Sequence, residues 1–285
     1  MNIMTRQQKK TLKMALGYLV IVLIGCLLLF PIAWMISCAF KTNEEIFGSI
    51  ALLPKSFSIQ NFVDGWKSAG SYTYLTYFLN SFALVVPTTV LTIASSALVA
   101  YGFARFEFPF KKQLFALLLA TLMLPNSVVI IPRYVLFNKF GWVDSYMPWW
   151  VPAILACYPF FIYQLIQFMR SIPRDLDESA YIDGCSTFRV FWQILLPLMK
   201  SSLFSAGLFQ FLWTYNDYFN SLIFINSVKK YTVSLALRLS VDAESVVVWG
   251  RVMAMACVAV LPLVLLFFAA QKYFVEGIAT SGLKG

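Results

Sequence analysis

Histidine is absent from this chain. That excludes histidine-based catalytic triads, histidine-ligated zinc and imidazole general-base chemistry. Charge is scarce too: Asp, Glu, Lys and Arg make up 12% of the residues, about half of the ~25% found in soluble domains. The five cysteines, Cys26, Cys38, Cys157, Cys185 and Cys257, form no C-x-x-C pair, so neither a thiol redox site nor a cysteine metal site is signalled. Four of them lie in apolar segments, where cysteine behaves as a small hydrophobe. No long linker, low-complexity tract or internal repeat divides the chain.

What is present is apolar. Of 285 residues 60% are hydrophobic, and the mean hydropathy is +0.75. Water cannot be the solvent for most of such a chain. The net charge of +9 is explained by basic loops flanking membrane spans rather than by nucleic acid, and no nucleic-acid partner is expected.

The charges punctuate the sequence and expose six apolar runs: about residues 15–37, 76–101, 113–132 and 147–168, a shorter uncharged run between Lys200 and Asp217 whose hydrophobicity resumes to Ile225, and a sixth bounded by Arg251 and Lys272. A span needs about 20 apolar residues, and a helix satisfies its own backbone groups in lipid. The expected fold class is therefore all-α, a polytopic membrane protein with six transmembrane helices. The first run is too long for a signal peptide and no small-residue cleavage pattern comes after it, so it reads as a retained span. Placing the N-terminus in the cytoplasm puts the majority of the 22 Lys and Arg residues on the inner side. Both termini then lie inside: residues 1–14 form a basic N-terminal segment against anionic lipid, 15–272 the transmembrane domain and 273–285 a C-terminal tail. Pro31, Pro87, Pro125, Pro132, Pro152, Pro159 and Pro262 interrupt the spans. They read either as packing kinks or as hinges beside a pathway. The outer loop 41–74 reads as a short irregular or helical cap, and the outer loop 241–250, with Asp242 and Glu244, as solvated chain.

One segment, about residues 171–200, does not fit lipid. It begins Ile172-Pro173-Arg174-Asp175-Leu176-Asp177-Glu178-Ser179-Ala180-Tyr181-Ile182-Asp183-Gly184. Ser171 can cap a helix with Pro173 in its first turn. Asp175, Asp177 and Glu178 then favour the positive end of the helix dipole. Gly184 is placed to end the helix in the left-handed conformation. Ser186 or Thr187 can cap a second helix bearing Phe188, Phe191, Trp192 and Leu195 at helical spacing, and Pro197 marks its junction with the next span. Leu176, Ser179, Ala180 and Asp183 share a small, weakly apolar face. Two readings fit: insertion into a groove of another protein, or an amphipathic helix at the membrane surface.

The run Glu178-Ser179-Ala180-x-x-Asp183-Gly184, with Ile194-Leu195-Leu196-Pro197 after it, resembles the "EAA" loop of ATP-binding-cassette (ABC) importer permeases, with serine in place of the middle alanine. Phe78-Leu79-Asn80-Ser81, the run Ala100-Tyr101-Gly102-Phe103-Ala104-Arg105-Phe106-Glu107-Phe108-Pro109, Trp213-x-x-Asn216-Asp217-Tyr218 and the ending Gln271 to Gly277 with Leu283-Lys284-Gly285 are similar to the carbohydrate, maltose-type, binding-protein-dependent branch. That branch usually has a proline before leucine in the fifth span, where this chain has Ser221-Leu222.

The resemblance implies a type I ABC importer permease fold in a bacterial or archaeal plasma membrane, with a coupling helix between helices four and five. It implies a non-catalytic subunit that pairs with a second, different permease chain. Two ABC ATPase subunits, which carry the ATP and Mg, dock below, and an extracytoplasmic solute-binding protein delivers sugar from above. No G-x-x-x-x-G-K-S/T phosphate loop occurs in the chain itself. By the same resemblance Glu178, Ser179, Ala180, Asp183, Gly184, Ile194 and Pro197 couple to the ATPase. For the substrate pathway the expectation falls on Trp213, Asn216, Asp217 and Asn220, with Gln210, because sugars are held by aromatic faces and hydrogen-bonding side chains. The other reading puts Asp217 at headgroup level, Asn216 as a cap and Trp213 in the interface belt. Polyols and glycerol-phosphate-like solutes remain open as cargo. A secondary transporter or channel would show paired charges within spans, and a membrane enzyme would show a carboxylate or nucleophile cluster.

Overall fold

The structure, a computed structural model, describes residues 6–67, 72–242 and 247–282. Leu283, Lys284, Gly285 and Glu244 lie outside the described residues. Every regular element among those described is a helix, the form in which a chain in lipid pairs its own backbone groups. α1 (Arg6–Cys38) carries an apolar stretch, Leu12–Cys38, that lies almost wholly exposed on this single chain. Two short helices, α2 (Asn43–Gly48) and α3 (Gln60–Lys67), make a helical cap of the next loop. Then comes α4 (Tyr74–Arg105), the 32-residue central post.

The third run does not form one straight helix. It breaks into α5 (Lys111–Leu122) and α6 (Asn126–Lys139), which diverge by 103°. Pro125 sits at the break, with no N–H for the helical ladder and a ring that clashes with the preceding turn. The fourth run is α7 (Met147–Ile154) and α8 (Pro159–Ser171), interrupted at Ala156, whose φ is +55°. The fifth expected span is also cut. α12 (Lys200–Tyr215) ends before Asn216, and α13 (Tyr218–Phe224) starts anew. Beyond the Val228–Lys230 turn come α14 (Val233–Asp242) and α15 (Trp249–Gly282). By length and composition four helical stretches can cross a membrane, or up to six if each bent pair counts as one span. The expected six spans lie at the upper end of that range, two of them as bent pairs.

Three apolar cores tie these helices together. One joins α4 to Ala39, Val233, Ala236 and Ala254 through Tyr74, Tyr77 and Phe78. A second gathers Leu84, Ile130, Phe137, Trp149 and Phe224. The third packs Ala97, Tyr101 and Ala104 of α4 against Phe161, Leu165 and Met169 of α8, and continues into the polar segment through Ala180, Val190, Phe191 and Leu195.

Polar staples fix the connections. Asn80 Nδ2 donates to the carbonyls of Lys229 (2.7 Å) and Tyr231 (3.0 Å), and Ser81 Oγ accepts from the Val233 N–H. The Asn-Ser pair of the Phe78–Ser81 motif thus holds the chain between α13 and α14. Asp144 clamps the same region from the other side. Burial pushes its carboxyl up. The Ser227 hydroxyl and N–H, the Lys230 ammonium and the Asn226 N–H more than reverse that and hold it well below the usual carboxylate range. At Gly250 the backbone passes so close to Asn61 and the Lys41 carbonyl that a Cβ there would collide with both. Glycine is what allows α15 to start against the cap.

Candidate functional site

The polar segment folds as helix, glycine turn, helix. The first helix, α9 (Asp175–Ile182), has Asp175, Asp177 and Glu178 in its first turn, the electrostatically favoured end for carboxylates. Its start differs from expectation. Ser171 does not cap it; its hydroxyl donates back to the Phe168 carbonyl (2.7 Å) as the last residue of α8. Pro173 lies before the helix. The Arg174 carbonyl instead accepts the N–H groups of Asp177 (2.9 Å) and Glu178 (3.1 Å).

The end matches expectation closely. Gly184 has φ +82°. Its N–H donates to the Tyr181 carbonyl (3.1 Å), and the Cys185 N–H reaches the Ala180 carbonyl (2.9 Å). These two bonds are a Schellman motif, which satisfies the orphan carbonyls of a helix end and needs a left-handed residue. Ser186, not Thr187, caps the second helix, accepting from the Arg189 N–H (3.4 Å).

That second helix is not regular. A short α turn, α10 (Thr187–Arg189), leads into a π-helical stretch, Val190–Leu195, and then α11 (Leu196–Leu198). The wider turn consumes an extra residue and splits the expected aromatic face. Phe191 and Leu195 are buried, whereas Phe188 and Trp192 stand 66% and 62% exposed with their rings stacked at 6.2 Å. Ile194 is half-buried and Pro197 exposed.

The expected shared face of α9 is also redistributed. Ala180 is 5% exposed and belongs to the core formed with α4 and α8. Leu176, Glu178, Ser179, Asp183 and Gly184 face outward. Ala180 thus seats the helix, and its neighbours present the surface.

The most consequential contact has no local signal in the sequence. Arg105, the last residue of α4, places Nε 2.6 Å from Oδ2 of Asp177, with the two side chains 5% and 8% exposed. Arg105 Nη2 also donates to the Ile172 carbonyl (3.1 Å), and Arg174 Nη2 returns a bond to the Ala104 carbonyl (3.3 Å). The Tyr101 hydroxyl donates to the Thr187 carbonyl (3.0 Å), and its ring stacks on Phe191 at 4.9 Å. Burial holds the Asp177 carboxyl above the usual carboxylate range, and Arg105 and then Arg174 offset only part of that rise. The carboxylate therefore depends on its guanidinium partner. Together these contacts weld the segment to the end of α4. Through them α9 shares one packed core with α4 and α8.

The four residues expected along a substrate path are dispersed. Trp213 lies against Phe160 (4.9 Å) and Phe161 (5.2 Å). Asn216 closes α12, bonding the Leu212 carbonyl, and borders a cavity of about 120 Å³ with Ser234 and Val260. Asp217 and Asn220 stay together: Asp217 caps α13 by accepting from the Asn220 N–H (3.1 Å), and its carboxylate accepts from Asn220 Nδ2 (2.8 and 2.9 Å). Two residues that the sequence pattern passes over complete this cluster. Arg133 Nη2 donates to Asn220 Oδ1 (2.7 Å) and Asn126 Oδ1 (2.8 Å), and Trp149 Nε1 donates to Asp217 Oδ2 (3.2 Å). The signal is Arg133 itself. A cation in an apolar segment needs a partner, and its partners stand on α6 and α13. Gln210 bonds Thr214 (2.9 Å) within α12.

A cavity of about 600 Å³ is a different place. It lies between α4, α12 and the Phe188–Trp192 pair, lined by apolar residues such as Val90, Ile93, Phe204 and Phe211. Such a lining offers a sugar almost nothing to hydrogen-bond.

A bacterial ABC transporter involved in the import of the acidic polysaccharide alginate has a chain of the same fold. The TM-score is 0.81, covering 96% of this chain and 100% of that one at 16% identity. Over its sequence the chain is 35% identical to the probable ABC transporter permease protein YurM of Bacillus subtilis, covering 90% of this chain and 84% of that one. It is 30% identical to the trehalose/maltose transport system permease protein MalG of Thermococcus litoralis, covering 98% and 99%. It is also 30% identical to the arabinooligosaccharides transport system permease protein AraQ of Bacillus subtilis, covering 92% and 93%. Residues 93–280 match the family described as the binding-protein-dependent transport system inner membrane component. This chain belongs to that family, as an integral membrane permease.

Proposed function

We propose that this permease imports a sugar or oligosaccharide and is driven through α9 by a separate ATPase. The observation that carries the coupling role is the weld between that helix and α4. A loop with outward Glu178, Ser179, Asp183 and Gly184, but with Ala180, Asp177 and Phe191 locked into the core of two spans, is a lever rather than a tether. In this reading α9 seats in a groove on one of two cytoplasmic ATPase subunits, which bind ATP and Mg. Closure of the ATPases pulls α9 and rocks the spans between inward-open and outward-open states. A second, different permease supplies the other half of the pathway, a binding protein delivers cargo outside, and both termini lie in the cytoplasm. Sugar as cargo is supported by the relatives, which transport trehalose or maltose and arabinooligosaccharides.

The test is capture. Cysteines replacing Glu178, Ser179 or Asp183 should crosslink to an ATPase that co-purifies in stoichiometric amount. Solute movement by the purified chain alone, or the absence of any crosslinked nucleotidase, would reject the reading.

Within the pathway, Asp217 and Asn220 act with Arg133 and Trp149 rather than with Trp213. Asp217→Asn replaces one carboxylate oxygen with an NH2 group, so that the Asn220 N–H, Asn220 Nδ2 and Trp149 Nε1 donors share a single acceptor oxygen, at a cost of about 1–3 kcal/mol. The expected result is a several-fold fall in uptake rate at unchanged membrane abundance, with Asn216→Ala milder. Unchanged affinity and rate in Asp217→Asn would remove this cluster from the pathway.

A further inference from the structure

A polar cavity of about 430 Å³ opens beside the weld and is lined by Arg105, Glu107, Lys111, Arg170 and Arg174 with Ile172. Its charges do not balance. Lys111 pairs with Glu107 (2.9 Å) and Arg105 with Asp177 (2.6 Å). Arg174 uses one nitrogen on the Ala104 carbonyl. The Arg170 guanidinium rests on the Phe115 ring at 5.1 Å, and no carboxylate among the described residues lies within ion-pair reach of it. Two guanidinium forks therefore face one cleft with donors to spare.

The position of the cleft narrows what fills it. Arg105 ends α4, Lys111 opens α5 and Arg170 lies in the last turn of α8. Three apolar helices terminate here, which is the depth where hydrocarbon gives way to headgroups. One turn along α5 from Lys111, Leu114 and then Leu117 are exposed. They offer an apolar track leading away from the cations.

We propose that this cleft binds the phosphodiester of an anionic phospholipid, with Arg170 and Arg174 gripping the phosphate oxygens and the acyl chains lying along Leu114 and Leu117. Guanidinium forks match phosphate oxygens in pairs. Basic pockets between spans recognise anionic headgroups through such contacts. A lipid seated there would brace the junction of α4, α8 and α9 from outside. The inference does not depend on the identity of the cargo.

The full chain, purified in a neutral detergent and stripped of lipid, is titrated with phosphatidylglycerol, phosphatidylcholine or inorganic phosphate. Bound lipid is counted by native mass spectrometry and the unfolding midpoint is recorded. Phosphatidylglycerol should bind and raise the midpoint, and the other two should not. Arg170→Gln should weaken phosphatidylglycerol binding about tenfold, the value of one lost charge-assisted contact. Arg170→Lys should restore part of it, and Lys112→Gln, whose residue neighbours the cleft without lining it, should bind as the parent does. Equal responses to phosphatidylglycerol and phosphatidylcholine, or inorganic phosphate matching the lipid, would overturn the proposal. So would an Arg170→Gln variant that binds lipid normally but no longer co-purifies with an ATPase, because the cleft would then hold a partner's carboxylate.

Discussion

Replacing Asp177 by alanine is expected to abolish transport while leaving insertion and membrane abundance intact. The change strands the Arg105 guanidinium, 5% exposed, without its carboxylate. Breaking one side of a buried ion pair costs about 3–5 kcal/mol, because the remaining charge is uncompensated. That cost falls on the docking of α9 and its turn against α4, not on the packing of the spans themselves. At this magnitude the docked loop changes from the dominant state to a minor one. An ATPase stroke delivered to an undocked loop moves nothing.

The double variant separates coupling from mere damage. Arg105→Met with Asp177→Leu removes both charges and fills the site with apolar volume, an exchange that is often neutral in buried pairs. It forfeits the Arg105 bond to the Ile172 carbonyl, which as a charge-assisted bond is worth about 1.5–3 kcal/mol, less than the cost of a stranded charge. Uptake by the double variant should therefore exceed that of Asp177→Ala and of Arg105→Met. Wild-type uptake in Asp177→Ala, or a double variant worse than either single change, would refute the lever.

Much of this arrangement is legible in the sequence. Six apolar runs are visible because charge is largely excluded from hydrocarbon. Gly184 and Ser186 announce a helix end and a helix start because each has a local backbone requirement that few residues meet. The breaks are harder to see. Pro125 and Pro132 look alike in sequence, yet the chain turns at the first and runs straight through the second, which lies inside α6. Neighbouring helices decide which freed carbonyl is re-satisfied.

The misplaced residues share one cause. Periodicity assigns Phe188, Phe191, Trp192 and Leu195 to one face, but a single π turn rotates half of them outward. The spacing that gathers Trp213 with Asp217 assumes one continuous helix, whereas the chain re-starts at Asp217 and points the two side chains to different neighbours. Arg105 and Asp177 are paired only by the fold. Nothing local to either residue requires the other. Long-range polar pairs of this kind leave one trace in a sequence: an arginine and an aspartate at the edges of apolar segments, each needing a partner.

Gly184→Pro should be as damaging as Asp177→Ala, but by a backbone route. At φ +82° the residue lies where L side chains are disfavoured by about 1–2 kcal/mol. A Cβ added there would meet no atom within 4 Å, so alanine bears only that conformational cost. Asparagine, which tolerates the left-handed region, bears less. Proline cannot enter the conformation at all, since its ring holds φ near −65°, and it deletes the N–H that bonds the Tyr181 carbonyl. The turn would have to re-form elsewhere, swinging Ser186 and the Phe191 anchor out of register with Tyr101. The expected order of uptake is glycine, asparagine, alanine, then proline at background, with all four chains equally abundant in the membrane. Normal uptake in the proline variant would show that the direction of the chain leaving α9 is irrelevant to transport. Equal losses in alanine and proline would point to a crowded partner surface at Gly184 in place of a backbone requirement.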